Sequence, residues 1–220
     1  MLASRTPVRV ASIVVVAVLA LAAAGCGEEE SGSAGGSKQD REVEQSFLTG
    51  MAHHHETAIE MARIAQRRGD EPFVKTLADE IVATQAREVG QMKRIHERLF
   101  DGALEPDPGA HAGLGLNAEE AGMTHTPRTN QVLESADPFD RAFVDEMVPH
   151  HRGAIKMAKV VLASTRDASL KTLADSIIRT QEREAKAMNA FRSRKYGGPV
   201  PSGKGSEAPG GGEHDGGHSG

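Results

Sequence analysis

Cysteine is almost missing from this 220-residue chain: Cys26 stands alone, so no disulfide can form within it. Tryptophan is absent, and there are one tyrosine and six phenylalanines. A core must then be built from Ala, Leu, Ile, Val and Met, which suits closely approaching helices better than a β-sandwich. There is no basic excess either. The 26 Lys and Arg are outnumbered by 31 Asp and Glu, with the signs well mixed, so nucleic acid is not an expected partner. A Gly-rich phosphate loop is lacking. His55-Glu56 is followed by Thr57-Ala58-Ile59, so His-Glu-x-x-His is lacking too, as is the Glu-x-x-His spacing of a di-iron bundle. Nothing in the chain demands catalysis. Histidine, with ten residues, and methionine, with eight, are the abundant items.

The chain also lacks an apolar run long enough to span a bilayer. Val10 to Ala24 is uncharged and follows Arg5 and Arg9, but at roughly 15 residues it is shorter than the ~20 a spanning helix needs and suits the core of a signal peptide. It ends Leu21-Ala22-Ala23-Ala24-Gly25-Cys26, which looks like a lipobox. Residues 1–25 are expected to be a lipoprotein leader and Cys26 the lipidated residue. Each buried acyl CH₂ contributes roughly 0.8 kcal/mol, so this anchor would hold the chain on the outer, extracytoplasmic face of the cell membrane.

Residues 26–40 read as a flexible Glu/Ser/Gly tether, with Asp40 as the cap of a helix running to Arg68 and Gly69 as its C′ residue. Asp70-Glu71-Pro72 opens a second helix reaching about Phe100. Residues 101–138 form a looser crossover, with short helical turns expected near Ala118–Ala121 and Gln131–Glu134. Asp137 as cap and Pro138 at the first position start a third helix, and a fourth begins near Asp167–Ser169 and ends before Tyr196. Residues 197–220 read as a disordered Gly/His tail, its His214 and His218 solvated. The bundle thus occupies residues 41–196.

Residues 47–92 align with 143–188 without a gap, and 19 of the 46 positions are identical. The repeats extend over about 43–100 and 139–194. One helical hairpin cannot bury its own apolar stripe, but two can, so the fold expected is all-α: a four-helix bundle of duplicated hairpins joined by a long crossover. At 100° per residue, Phe47, Met51, His54, His55, Ala58, Met61, Ala62 and Ala65 share an arc of about 120°. His53 lies off this arc, has Pro149 as its counterpart, and reads as a surface histidine. Glu44 lies on the arc, so that end of the stripe reads as polar or exposed. On the second helix Gln85, Glu88 and Met92 lie on the face of Leu77, Ile81 and Ile95; on the fourth, Gln181, Glu184 and Met188 repeat this. A carboxylate on an inward face must be paired, since an uncompensated buried charge costs several kcal/mol, and the inward histidines of the neighbouring helix are the expected partners. Pro149 cannot donate to the Asp145 carbonyl and should kink the third helix before His150.

Met-x-x-His-His followed by Ala-Ile-x-Met-Ala, with Gln-x-x-Glu-x-x-x-Met on the next helix, resembles the bacterial domain-of-unknown-function family numbered three hundred and five. So do Glu119-Glu120-Ala121-Gly122-Met123 and the run from Ala136 to Phe143. The likeness covers about residues 43–194. It implies a ferritin-like bundle of an exported protein, in a family with a periplasmic copper-binding member. It also implies metal ligation by Met51, His54, His55 and Met61 in the first copy and by Met147, His150, His151 and Met157 in the second. The usual Pro-His-His form is altered in the first copy, where His53 replaces Pro, which leaves the equivalence of the two sites open.

Thioether and imidazole together form a soft to borderline ligand set suited to copper, above all Cu(I), and thioethers survive an oxidising compartment. Gln85, Glu88, Met92, Gln181, Glu184 and Met188 are expected around the ligands, the carboxylates orienting imidazoles. His96 reads as exposed, and His111, Met123 and His125 as a candidate accessory site in the crossover. The function expected is a lipid-anchored metal-binding protein for copper tolerance, storage or delivery, with self-association left open. The alternative is a non-catalytic structural or interaction module in which Glu–His pairs only stabilise the bundle.

Overall fold

The computed structural model describes residues 37–201. The leader, Cys26, most of the tether, and the tail with His214 and His218 lie outside the described residues. Within them are five α-helices and a 3₁₀ turn: α1 (Lys38–Arg68), α2 (Pro72–Leu99), the 3₁₀ turn (Ala110–Leu114), α3 (Pro127–Ser135), α4 (Phe139–Ser164) and α5 (Ala168–Tyr196). Four long helices form the bundle. α1 pairs with α2 and α4 with α5 as hairpins, α1 packs on α4, and α2 meets α5 over a smaller contact. Among the described residues no helix is long and apolar enough to cross a membrane.

Helix starts follow local polar chemistry, with three shifts from expectation. Ser37, not Asp40, caps α1: its Oγ accepts from the Asp40 N–H (3.1 Å) while Asp40 Oδ2 accepts from the Ser37 N–H (2.9 Å). This reciprocal box pulls the end of the expected tether into helix. Gly69 is not left-handed but extended (φ −58°, ψ 134°), its N–H donating to Ala65 O. The turn is fixed from outside, since the Asp70 and Glu71 N–H groups donate to the buried Asp140 carboxylate at 3.0 and 2.9 Å. That carboxylate joins the two hairpins at one end. Pro138 is the cap residue of α4 and Phe139 its first helical residue. Asp167 caps α5 as expected, accepting from the Leu170 N–H (2.9 Å), and it also holds Arg98 of α2 through both carboxylate oxygens. α4 continues without interruption through Pro149.

The crossover departs further. Asn117–Gly122 is a turn rather than a helix, closed by Asn117–Glu120 side-chain bonds and ended by Gly122 at φ +66°. The expected turn at Gln131–Glu134 lies inside the longer α3. The 3₁₀ turn, unmarked by periodicity, packs its Ala110 and Gly113 against Gly50 and Ser46 of α1. Residues 197–201 dock instead of trailing away: Val200 is buried, and Arg192 donates to the Gly198 carbonyl at 2.8 Å. Glu44, read as a polar or exposed end, is buried and accepts from Thr165 Oγ1 at 2.5 Å, so a partner from the other hairpin satisfies it. His96 is likewise buried, its ring 5.2 Å from that of Phe100.

The apolar core is two clusters. One combines Met61, Leu77 and Ile81 of the first repeat with Phe143, Met147 and Met188 of the second. The other combines Phe47, Met51 and Met92 with Met157, Leu173 and Ile177. Under the 96-residue offset these groups are exchanged versions of each other. Each half of the core is therefore built from both repeats, and the histidines lie in the polar layer between them.

Candidate metal centre

His54 and His150 meet where α1 crosses α4. Their rings stack with centroids 3.6 Å apart and planes inclined by 26°. His54 Nε2–H donates to the His150 carbonyl (3.1 Å), and His150 Nε2 lies 3.0 Å from the His54 carbonyl, a reciprocal contact across the pseudo-two-fold axis. Outside this pair, His55 Nε2–H donates to Glu88 Oε2 and His151 Nε2–H to Glu184 Oε2, both at 2.8 Å. All four histidines and both carboxylates are buried. The pairing of inward His with inward Glu thus has the geometry the helical faces require. Glu184 also borders an open groove of about 400 Å³ between α2 and α5, where Phe73, Leu77, Glu80 and Arg183 form the other walls.

The polar layer is incompletely satisfied by protein. Nδ1 of His54, His55 and His151 has no protein partner, nor does either amide atom of Gln85 or Gln181. Leaving such a group unpaired costs about 1–3 kcal/mol. With Nε2–H committed to a carboxylate, Nδ1 of His55 and His151 carries the free lone pair, the tautomer that a carboxylate–histidine–metal arrangement uses. Gln85 and Gln181, each one helical turn before its glutamate, are buried with both a donor and an acceptor unpartnered. No three His, Cys, Asp or Glu side chains among the described residues converge closely enough to hold an ion together. Two-imidazole sets completed by thioethers are a different donor combination.

The crossover makes the copies inequivalent. Gly153 touches Ala121 so closely that an added Cβ would lie 2.2 Å from the Ala121 carbonyl carbon. Gly122 follows at positive φ, close over His150, and its carbonyl lies 2.9 Å from His150 Nδ1. In the first repeat the residue matching Gly153 is Thr57, which bonds the His53 carbonyl. His54 Nδ1 therefore stays free while His150 Nδ1 faces an acceptor. Burial first, and the neighbouring His151 second, push the His150 pKa down to about 3. Burial, then His150, His55 and His151, hold His54 well below the usual range as well. Neutral His150 carries one ring proton and serves one of its two carbonyl neighbours at a time.

The structure regroups the thioethers expected as ligands. Met51 and Met61 belong to different clusters, as do Met147 and Met157. Ten helical residues separate each pair by about 15 Å, too far for one ion. Met51 lies instead with Met92 and Met157, and Met147 with Met188 and Met61. His53 is half-buried. The Nδ1 of His111 bonds the Leu116 carbonyl within the loop that follows the 3₁₀ turn. These placements depend on how the hairpins close, which helical periodicity does not reveal.

Fold and polar layer together define a duplicated four-helix bundle whose centre is an imidazole–carboxylate layer. Residues 42–192 match the family described as domain of unknown function (DUF305), and the chain belongs to that family. It is similar to CopM, whose structures include a Cu(I)-bound form (31% identity, TM-score 0.59, covering 70% of this chain and 98% of that one). CopM structures with silver and with Cu(II) match with a TM-score of 0.58 each. A putative secreted DUF305 protein from Streptomyces coelicolor shares the fold at 23% identity, TM-score 0.64, covering 73% of this chain and 98% of that one. An uncharacterized protein, L153 of Acanthamoeba polyphaga mimivirus, is 39% identical over 52 residues, 24% of this chain and 34% of that protein. The chain thus spans about a third of the length of that curated relative.

Proposed function

We propose that this protein binds copper, Cu(I) in particular, outside the cytoplasm, where it serves metal tolerance, storage or delivery. The observation that carries the reading is the same in both repeats: an inward imidazole held at Nε2 by a buried carboxylate, with Nδ1 bare. His55 and His151 supply the nitrogen donors, with His54 adding a second bare Nδ1 in the first copy. Glu88 and Glu184 hold the tautomer. Met51 and Met147, one turn before the histidine pairs, are thioethers in reach of the same layer, and Met61 and Met157 enter from the opposite repeat. The copper and silver complexes of CopM support this ligand class. The leader motif ending at Cys26 supports lipid anchoring on the extracytoplasmic face.

The metal reading is tested by titrating the full chain with Cu(I) and Cu(II) beside a variant carrying Gln at 54, 55, 150 and 151. The variant should lose the tight copper, and equal uptake by both proteins would refute the assignment. Anchoring is tested by labelling cells with a palmitate analogue, which should mark the wild type and leave Cys26→Ser unlabelled.

A structural module is the second reading, favoured by the reciprocal His54–His150 contacts and the lack of three convergent ligands among the described residues. It requires that copper leave the melting temperature unchanged, whereas ligand at 100 times its Kd would stabilise the chain by about 2.7 kcal/mol.

A further inference from the structure

The bundle is least closed where α2 runs beside α5, and two grooves lie along that seam. They are copies of one feature: Phe73, Thr76 and Leu77 of the one correspond to Ser169, Thr172 and Leu173 of the other under the 96-residue offset. Their charges differ. The groove of about 400 Å³ borders Glu184 and has a second acid, Glu80, on its wall. The groove of about 560 Å³ runs instead against Arg94 and Arg98, and Ser176 stands where the first has Glu80. Glu184 joins its groove to the interior. Oε2 accepts from His151 Nε2–H at 2.8 Å, while Oε1 lies 3.9 Å from the Arg183 guanidinium, beyond hydrogen-bond length. The Arg183 side chain is 68% exposed and that of Glu184 only 4%. His151 itself is wholly buried, so its carboxylate partner is where this pair meets open space.

We propose that this groove is the port through which a soft cation, Cu(I) or Ag(I), reaches the seat of the second copy. Glu184 makes the first contact, and Arg183 is a loosely held counter-ion that the arriving cation displaces. The port presupposes the interior reading and adds to it the route by which His151 is loaded. Two carboxylates between the apolar walls of Phe73 and Leu77 draw a cation inward. A carboxylate is a hard donor that holds Cu(I) or Ag(I) weakly, which suits passage, and the softer donors behind it suit capture. An ion pair stretched to 3.9 Å, with one partner in solvent, costs little to open. The matching groove lacks this chemistry, since arginines line it and repel a cation.

A route is told from a ligand by kinetics, because filling a route slows entry and exit alike and leaves affinity unchanged. The metal-free full chain is loaded with Ag(I) in nitrate buffer, and excess thiosulfate then withdraws the silver. Long-range ¹H–¹⁵N spectra follow His151 Nδ1 throughout. Ala187→Phe fills the groove from α5 and Thr76→Phe fills it from α2, whereas Thr172→Phe fills the matching groove. The first two should slow both loading and withdrawal at His151 severalfold, with the affinity from a competition titration unaltered. Thr172→Phe should behave as wild type there. Arg183→Ala should speed loading about tenfold at low ionic strength, and about 1 M sodium nitrate should abolish the gain. If saturating Ag(I) leaves wild-type His151 Nδ1 unmoved, the interior reading fails and takes the port with it. If that atom responds but neither filling variant changes its rate, or affinity falls as much as rate, the groove is not the route and the interior reading stands. The filling variants lie on opposite walls, so either decides if the other does not fold, and Arg183→Ala, at an exposed position, decides if neither does.

Discussion

Gly153→Ala isolates the crossover's grip on α4. A Cβ there would lie 2.2 Å from both the carbonyl carbon and oxygen of Ala121 and 2.3 Å from the Gly122 nitrogen. All three are backbone atoms, so no rotamer change can relieve the overlap, and either α4 or the Asn117–Gly122 turn must move by more than an ångström. Alanine gains up to about 1 kcal/mol over glycine in a helix interior, which works against the clash. Overpacking of this kind typically costs 1–3 kcal/mol, and a backbone obstacle puts the gross cost at or above the top of that range. A net loss of about 2–3 kcal/mol lowers the melting temperature of a domain this size by about 4–12 °C. Thr57→Ala, at the matching place in the first repeat, removes only the hydroxyl bond to the His53 carbonyl and should cost less. Thermal unfolding of both metal-free variants measures the difference, and the imidazole spectrum of Gly153→Ala should show His150 Nδ1 freed from Gly122. A melting temperature within 1 °C of wild type, with His150 unchanged, would refute the close packing on which the inequivalence of the copies rests.

Three further outcomes follow from the same geometry. Glu88→Gln and Glu184→Gln keep an acceptor for the histidine Nε2–H but remove its charge, and each should weaken copper binding about 10–100-fold in a competition titration. His150 and His54 both bind protons less readily in the folded chain than the usual 6.5, so the unfolded chain takes up more protons at acid pH. Stability of the metal-free chain should therefore be full above about pH 6.5 and fall as pH drops toward 3, by about 1.4 kcal/mol per pH unit for each ring, as read by denaturant titrations at stepped pH. A flat profile would contradict the burial of neutral rings. Arg192→Ala removes the bond to Asp145 (2.7 Å) and the grip on the Gly198 carbonyl, costing about 1–3 kcal/mol. Amide exchange at 198–201 should then rise selectively.

The helical faces were legible in the sequence because burial follows a 3.6-residue period, and the inward Glu88 and Glu184 were legible because a buried carboxylate requires a partner. Their histidines sit where that requirement placed them. What periodicity could not convey is how two hairpins close. The exchange of Met61 and Met157 between core clusters, the Glu44–Thr165 bond and the Asp140 contacts to the α1–α2 turn all join residues whose partners lie on another hairpin. The crossover was least legible. Its turns are short, its packing depends on small residues such as Ala110, Gly113 and Ala121, and small residues leave little imprint on a hydrophobic pattern. Glycine at 153 opposite threonine at 57 was a visible sign that the crossover's backbone presses on α4 where it does not press on the matching place of α1.

Two unlinked copies of such a hairpin, closed on each other by a true dyad, would carry identical imidazole positions and no way to tell them apart. A single covalent connection cannot respect that dyad, since it must pass over one side. Fusion therefore converts a matched pair into one seat whose ring nitrogen meets the connection and one whose ring nitrogen is left bare, and from that moment selection can act on each separately.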